Sequence, residues 1–168
     1  MALKDTLQAL LDELGWEDPI HHDPEDGTDY LSTGYRIAGQ AYQLLVISDE
    51  RRQWLRLVLR APMTIPAHRR TEAAVLVNHL NGTLGIGHLE ASPEGSIAYD
   101  HGIDVENAEA SPALLKNMLS AAAATFSPAR LGALGALAFT HASLEAILAD
   151  FESDGAGRSS ANASLEVH

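Results

Sequence analysis

The segment from Gln53 to Ala61 alternates apolar and polar side chains, and this alternation constrains the fold more than any other feature of the chain. Leucines at every second position predict a β-strand that buries one face. The other face carries Trp54, Arg56, Val58 and Arg60. Such a strand requires neighbouring strands and a covering layer, so we expect a sheet that packs one face and turns the other to water or to a partner.

The rest of the sequence supplies the neighbours of this strand. Short polar joins between β-rich segments predict hairpins, and Ser-Pro pairs followed by apolar periodicity predict helix starts. The acidic segment from Asp12 to Asp29 is predicted to be a connecting loop. The predicted strands are Tyr30–Ala38, Ala41–Ser48, Gln53–Ala61, Ile86–Ala91 and Ser96–Val105. The predicted helices are Leu3–Leu14, Ala67–Leu80, Ala113–Phe126 and Ala129–Phe151, and the helical C-terminal third is broken or kinked at Pro128, between the last two.

This order, helix, three strands, helix, two strands and two helices, predicts an α+β fold. We expect a five-stranded, mostly antiparallel sheet with the helices packed on one face. The 168 residues suit one domain, and we assign residues 1–151 to it and residues 152–168, which lack sustained periodicity, to a flexible C-terminal tail.

Composition and motifs argue against several classes of function. Eleven Lys and Arg against 23 Asp and Glu give a formal charge of -12, which disfavours binding to a polyanion. The eight histidines form no H-x-x-x-H pair, and neither a nucleotide-binding glycine motif nor a serine elbow is found. We therefore predict no enzymatic activity, no metal site and no cofactor. An uncharacterised histidine or carboxylate enzyme is the third alternative.

The N-terminal segment resembles an amphipathic helix, and it does not show the uninterrupted apolar region of a signal peptide. The longest apolar window, Leu131–Phe139, is much shorter than the roughly 20 residues of a transmembrane helix. Absence of cysteine fits a reducing compartment. The sequence predicts a cytoplasmic protein that has no membrane partner.

The strand face with Trp54, Arg56, Val58 and Arg60 is the predicted partner-binding site. Six of the basic residues lie between Arg51 and Arg70, and an Arg and Trp face suits an acidic peptide or stacked single-stranded bases. The same arginines could instead pair with surface carboxylates while the indole packs internally. Among binding functions the net charge favours a protein partner over nucleic acid.

Small residues dominate the last helices, and Gly132, Gly135 and Ala136 are the predicted dimer or helix-packing residues. Each interior glycine costs about 1 kcal/mol of helix propensity relative to alanine, so close tertiary contact should compensate for it. The contact could be with a second copy or within the domain.

Three motifs carry a resemblance to a known family: Val77-Asn78-His79-Leu80-Asn81, the segment from Gly87-His88-Leu89-Glu90 to Ile97-Ala98-Tyr99, and Glu109-Ala110-Ser111-Pro112 before an alanine-rich helix. With these motifs the chain resembles the YbjN family, bacterial proteins also described as sensory transduction regulators. The resemblance spans Leu3 to Phe151 and is strongest from Ala73 to Phe126. That family is similar in fold to type III secretion chaperones, which implies a non-enzymatic homodimer that binds another protein.

We therefore expect a chaperone-like, protein-binding adaptor or regulator. The alternative is a nucleic-acid-associated, stress-response accessory protein that uses the Arg51–Arg70 segment. Alanine at Trp54 and Arg56 is expected to weaken partner capture with little effect on thermal stability.

Overall fold

A computed structural model describes residues 2–106, 108 and 110–163 of the chain, with side chains as far as residue 154. Glu109, part of one sequence motif, and residues 164–168 of the predicted tail lie outside the described residues. The elements are α1 (Leu3–Leu14), β1 (Ile20–Asp23), β2 (Thr28–Ile37), β3 (Gln40–Asp49), β4 (Trp54–Thr64), a 3-10 turn (Ala67–Arg69), α2 (Arg70–Asn81), β5 (His88–Ala91), β6 (Ser96–Asp104), α3 (Pro112–Thr125), α4 (Pro128–Phe139) and α5 (Leu144–Ala163).

The sheet has six strands in the order β1-β2-β3-β4-β6-β5, and every neighbouring pair is antiparallel. The prediction of five strands is wrong, because β1 lies inside the acidic segment assigned to a loop. A strand of four residues is too short to show an alternating pattern of its own. It forms because a turn at Asp23 and Gly27 returns the chain, so that His21 pairs with Tyr30.

One face of the sheet carries the core. Leu55, Leu57 and Leu59 of β4 are fully buried, as the alternation predicts, and Leu44 and Val46 of β3 lie beside them. Helices α1, α3 and α4 contact the central strands, while α2 contacts the edge strand β5. The predicted α+β architecture with helices on one face is therefore confirmed.

The opposite face carries the alternate residues of the same strands. Within the described part of the chain its side chains are half-buried or exposed, and the exceptions are the carboxylates Asp49 and Asp100. We call this surface the open face. Because strand residues alternate between the two faces, burying the leucines of β4 places Trp54 to Arg60 on the open face.

The C-terminal region contains three helices where two were predicted. Ser111 and Ser127 cap α3 and α4 as expected, each accepting a hydrogen bond from a backbone N–H three residues ahead. The predicted helix Ala129–Phe151 is interrupted after Phe139, because the chain leaves helical geometry at Thr140 and α5 begins after Ser143.

Two arginines that lie outside the helices they cap stabilise helix ends, and Arg69 is distant in sequence from its helix. Arg69 is buried and donates to the carbonyls of Leu137, Thr140 and Ala142, where α4 ends. Arg130 donates to carbonyls at the end of α3 in the same way. Since the last carbonyls of a helix have no partner within it, such donors satisfy groups that would otherwise be unpaired.

Helix α5 continues to Ala163, so the backbone of the segment assigned to a tail is helical that far. The single domain at 1–151 and the flexibility of 152–168 stay predictions. Among the helices of the described residues, none is both long and apolar enough to cross a membrane. The cytoplasmic location stays a prediction.

Candidate functional site

The candidate site is the centre of the open face, where β4 lies between β3 and β6. Trp54, Arg56, Val58 and Arg60 lie together on this face. The register places Leu45 beside Val58, Ile47 beside Arg56, and Asp100 and Gly102 on the other flank of β4. The structure thus groups the four predicted residues with neighbours from two further strands.

Arg56 forms the strongest polar contact of the site. Its Nε donates to both carboxylate oxygens of Asp100, at 2.9 and 2.8 Å, and an Nη2 contact completes a bidentate pair. Asp100 is only 4% exposed, since the guanidinium covers it. The hydrogen bond to Asp100 raises the pKa of Arg56 above its ordinary value, against the lowering effect of burial. Arg56 is therefore largely committed to an internal partner.

Trp54 lies across the open face beside this pair. The guanidinium carbon of Arg56 is 5.9 Å from the indole centroid, within the range of a cation–π contact. The indole also covers Gly102, where an added Cβ would approach Trp54 to 3.0 Å. The sheet accommodates the indole because position 102 has no side chain, so the ring is held half-buried and flat against the sheet.

Apolar and charged residues alternate across the rest of the site. Leu45, Ile47 and Val58 are half-buried and form an apolar strip with Trp54, which we call the open-face strip. Arg60 is exposed, and its Nη1 is 3.4 Å from the amide oxygen of Gln43. The open-face strip is thus bordered by Arg56, which is paired with a carboxylate, and by Arg60, which has no ion pair among the described residues.

Sequence reasoning missed Leu45, Ile47, Asp100 and Gly102 as members of the site. Their alternation within β3 and β6 was visible, but it does not reveal which strands lie next to β4. The long crossover through α2 and β5 brings β6 beside β4, and only the strand order shows this. The pairing of Arg56 with Asp100 follows from that order.

The arginines between positions 51 and 70 do not form one basic surface. Arg51 and Arg52 lie at the turn before β4, where Arg52 pairs with Asp49 at 3.3 Å. Arg69 is buried beneath the helices and pairs with Glu72. With Arg56 also paired, the charge cluster seen in the sequence is divided among separate parts of the molecule.

Of the three predicted packing residues of α4, Gly132 and Ala136 lie toward α5, whereas Gly135 does not. Gly132 is exposed, Gly135 and Ala136 are half-buried, and an added Cβ at either glycine would meet nothing within 4 Å. Gly132 and Ala136 line a cavity of about 200 Å³ together with Ile147 and Phe151 of α5. The glycines therefore do not mark a close backbone approach within the domain.

Among the residues that the structure describes, no three His, Asp or Glu side chains are grouped so as to hold a metal ion. The absence of a metal or cofactor stays a prediction.

Comparison with known proteins places these features in a family context. The YbjN family, described as "Putative bacterial sensory transduction regulator", matches residues 3–130. No curated protein sequence matches the chain.

Two solved structures are similar to this chain. One chain in a structure of the HopA1-SchA chaperone-effector complex has a TM-score of 0.45 and 19% identity, covering 71% of this chain and 85% of that chain. A crystal structure of YbjN from E. coli, described as "a putative transcription regulator", has a TM-score of 0.45 and 11% identity, covering 72% and 83% respectively.

Proposed function

Because the chain belongs to the YbjN family, we propose that it is a non-enzymatic, protein-binding adaptor or regulator that acts as a homodimer and holds its partner on the open face. The observation that carries this proposal is the open-face strip of Leu45, Ile47, Trp54 and Val58. These side chains lie at the middle of a sheet and keep part of their apolar surface in water.

The composition of this surface suits a protein partner. Protein interfaces bury an apolar centre inside a polar rim, and Trp and Arg are enriched among the residues that contribute most binding energy. Trp54 and Val58 provide the apolar centre, and Arg60 provides an exposed charge at its border. Arg56 is pre-organised by Asp100, so holding it in place costs little side-chain entropy on binding.

Nucleic acid is disfavoured as the partner for electrostatic reasons. A phosphate-binding surface needs several unpaired cations, whereas Arg52, Arg56 and Arg69 are each engaged by a carboxylate. The formal charge of -12 adds a long-range repulsion.

We also propose that Gly132 and Ala136 act in helix packing, since both line the cavity that α4 forms with α5. Gly135 lies on the outer side of α4, and we propose that it keeps this surface free of a protruding side chain.

The central experiment is affinity capture from the native cell with the full chain as bait, followed by mass spectrometry and a direct binding measurement on the purified partner. The double variant Ile47→Thr/Val58→Thr keeps β-branched side chains in the strands and removes apolar contact. It should weaken binding by about tenfold or more, the usual effect of losing a central apolar anchor.

The matched control is Val75→Thr/Ile86→Thr, which makes the same two substitutions at positions that are 50% and 54% exposed and distant from the open face. This control should bind like the unmodified protein. Equal losses in both variants would contradict the proposed surface. Tight, salt-sensitive binding of single-stranded DNA or RNA that requires Arg60 would favour the nucleic-acid alternative.

A further inference from the structure

The outer edge of β2 is only partly covered by β1. Strand β2 spans Thr28–Ile37, but β1 pairs only as far as Leu31. Continuing the register would place Pro19 opposite Ser32, and proline has no N–H to contribute to a ladder. From Ser32 to Ile37 the outer edge has no backbone hydrogen-bond partner among the described residues.

The register with β3 shows which groups this edge presents. Ile37 pairs with Gln40 across a two-residue turn, in which Ala38 and Gly39 both have positive φ. Residues paired with β3 through hydrogen bonds alternate with residues that point their N–H and C=O outward. Ser32, Gly34 and Arg36 are the outward-pointing ones. A second extended strand is the partner whose backbone matches this pattern.

We propose that this edge pairs with the same edge of a second copy of the chain, antiparallel, with Tyr35 of one copy opposite Tyr35 of the other. The proposal rests on the homodimer part of the proposed function and gives it a surface. In this register Gly34 of each copy lies opposite Arg36 of the other. The two outward-pointing residues then exchange N–H to C=O hydrogen bonds across a two-fold axis.

The neighbouring registers are excluded by sterics and charge. Centring the pair on Gly34 would drive the second copy into the space occupied by Ile20 of β1. Centring it on Arg36 would place two arginines directly opposite, and such like-charge pairs are destabilising. The register centred on Tyr35 avoids the like-charge pair, and its ladder ends with Ile37 of the second copy opposite Thr33, where the second chain turns away before Ile20.

Charge complementarity supports this arrangement. Arg36 is exposed and has no acidic partner among the described residues, and it would lie over Gly34 of the second copy. An added Cβ at Gly34 would meet nothing within 4 Å, so the space above it is free. This space belongs to a surface depression of about 530 Å³ whose lining includes Asp18 and Gln43. In this arrangement the guanidinium of one copy would enter the depression that the Asp18 carboxylate of the other copy lines.

The face that carries the helices contributes an aromatic contact. Tyr35 lies 6.1 Å from Trp16, ring centroid to centroid, in an edge arrangement. Opposed tyrosines at the two-fold axis would extend this contact into a cluster of four rings, and cross-strand aromatic pairs stabilise sheets. The paired edge is short, so we expect a reversible dimer whose population rises with concentration.

The test is sedimentation of the full chain over a concentration series. The unmodified protein should shift from 17.9 kDa to twice this mass, and Arg36→Glu or Asp18→Arg should each raise the dissociation constant about tenfold or more. The double variant Asp18→Arg/Arg36→Glu should recover dimerisation, since it restores opposite charges across the interface. Arg51→Glu is the matched control, because Arg51 is exposed at the turn before β4, and it should dimerise normally.

Gly34→Pro provides a second variant, because it removes an outward N–H and leaves the ladder with β3 intact. It should likewise raise the dissociation constant by about tenfold or more, with an unchanged circular dichroism spectrum. A dimer that persists in Arg36→Glu and Gly34→Pro would overturn the proposal, as would a monomer of 17.9 kDa at all concentrations or a failed charge swap. Partner capture that depends on Ile47 and Val58 is measured separately, so the two proposals can fail independently.

Discussion

Replacing Arg56 with alanine should destabilise the protein, although the residue lies on the open face. The substitution removes the bidentate partner of Asp100, which is 4% exposed and has no other hydrogen-bond donor among the described residues. Removing one partner of a buried ion pair costs about 3–5 kcal/mol, because the remaining charge stays desolvated. The side chain of Arg56 is 36% exposed and its removal uncovers Asp100 to water, so we expect a smaller loss, about 2–3 kcal/mol.

Replacing Asp100 instead of Arg56 distinguishes the cost of leaving a desolvated charge from the loss of attraction between the two charges. Asp100→Ala leaves a guanidinium that water can still reach, so it should cost about 1–2 kcal/mol. The double variant Arg56→Met/Asp100→Leu replaces both charges with apolar groups of similar volume and should be close to neutral. If partner capture needs the charge of Arg56, the double variant will lose binding and retain stability.

Urea unfolding followed by circular dichroism, as a double-mutant cycle, measures these energies. A loss of less than about 0.5 kcal/mol for Arg56→Ala would refute the reasoning, as would equal losses for both single variants. The expectation from sequence alone, that alanine at Arg56 leaves stability nearly unchanged, gives way to the opposite prediction once Asp100 lies beside it.

Two further predictions concern groups away from the open-face strip. Arg69→Ala removes the donor to the carbonyls of Leu137, Thr140 and Ala142 and should lower the free energy of unfolding by about 2–3 kcal/mol, because buried carbonyls lose their partner. A change below about 1 kcal/mol in urea unfolding would contradict the capping role. Burial lowers the pKa of His101, whose Nδ1 is buried without a hydrogen-bond partner, so protonation favours the unfolded state and stability should fall as pH drops below about 6.5. His101→Gln should flatten this dependence in thermal melts between about pH 7 and 5, and an equal slope in both proteins would show that other groups cause it.

Local sequence patterns predicted the helices and strands that contain enough residues to show hydrophobic periodicity. The alternation in β4 fixed which of its side chains are buried, and Ser111 and Ser127 marked helix starts through their hydroxyl caps. Strand β1 was missed because its residues are polar and few, and its pairing with β2 supplies the hydrogen bonds that its composition does not indicate. The end of α4 was missed because it depends on Arg69, which is distant in sequence.

In the candidate site, too, local sequence predicted some features, and others depend on contacts between distant segments. The sequence placed Trp54, Arg56, Val58 and Arg60 on one face, because side-chain alternation is a property of a single strand. It could not show that Asp100 neutralises Arg56. That contact depends on which strand lies beside β4, and strand order results from the packing of the whole sheet.

By itself, the sequence determined the fold class, the buried face of β4, the acidic net charge and the family resemblance that the profile match confirms. Tertiary structure alone decided that six clustered arginines are dispersed and that the open-face strip joins two strands. It also decided that the outer edge of β2 from Ser32 to Ile37 lacks a partner among the described residues. The physical reason is the separation in sequence over which each interaction acts. Propensity, periodicity and capping act over a few residues, whereas burial, ion pairing and free strand edges depend on contacts between segments that the chain separates widely.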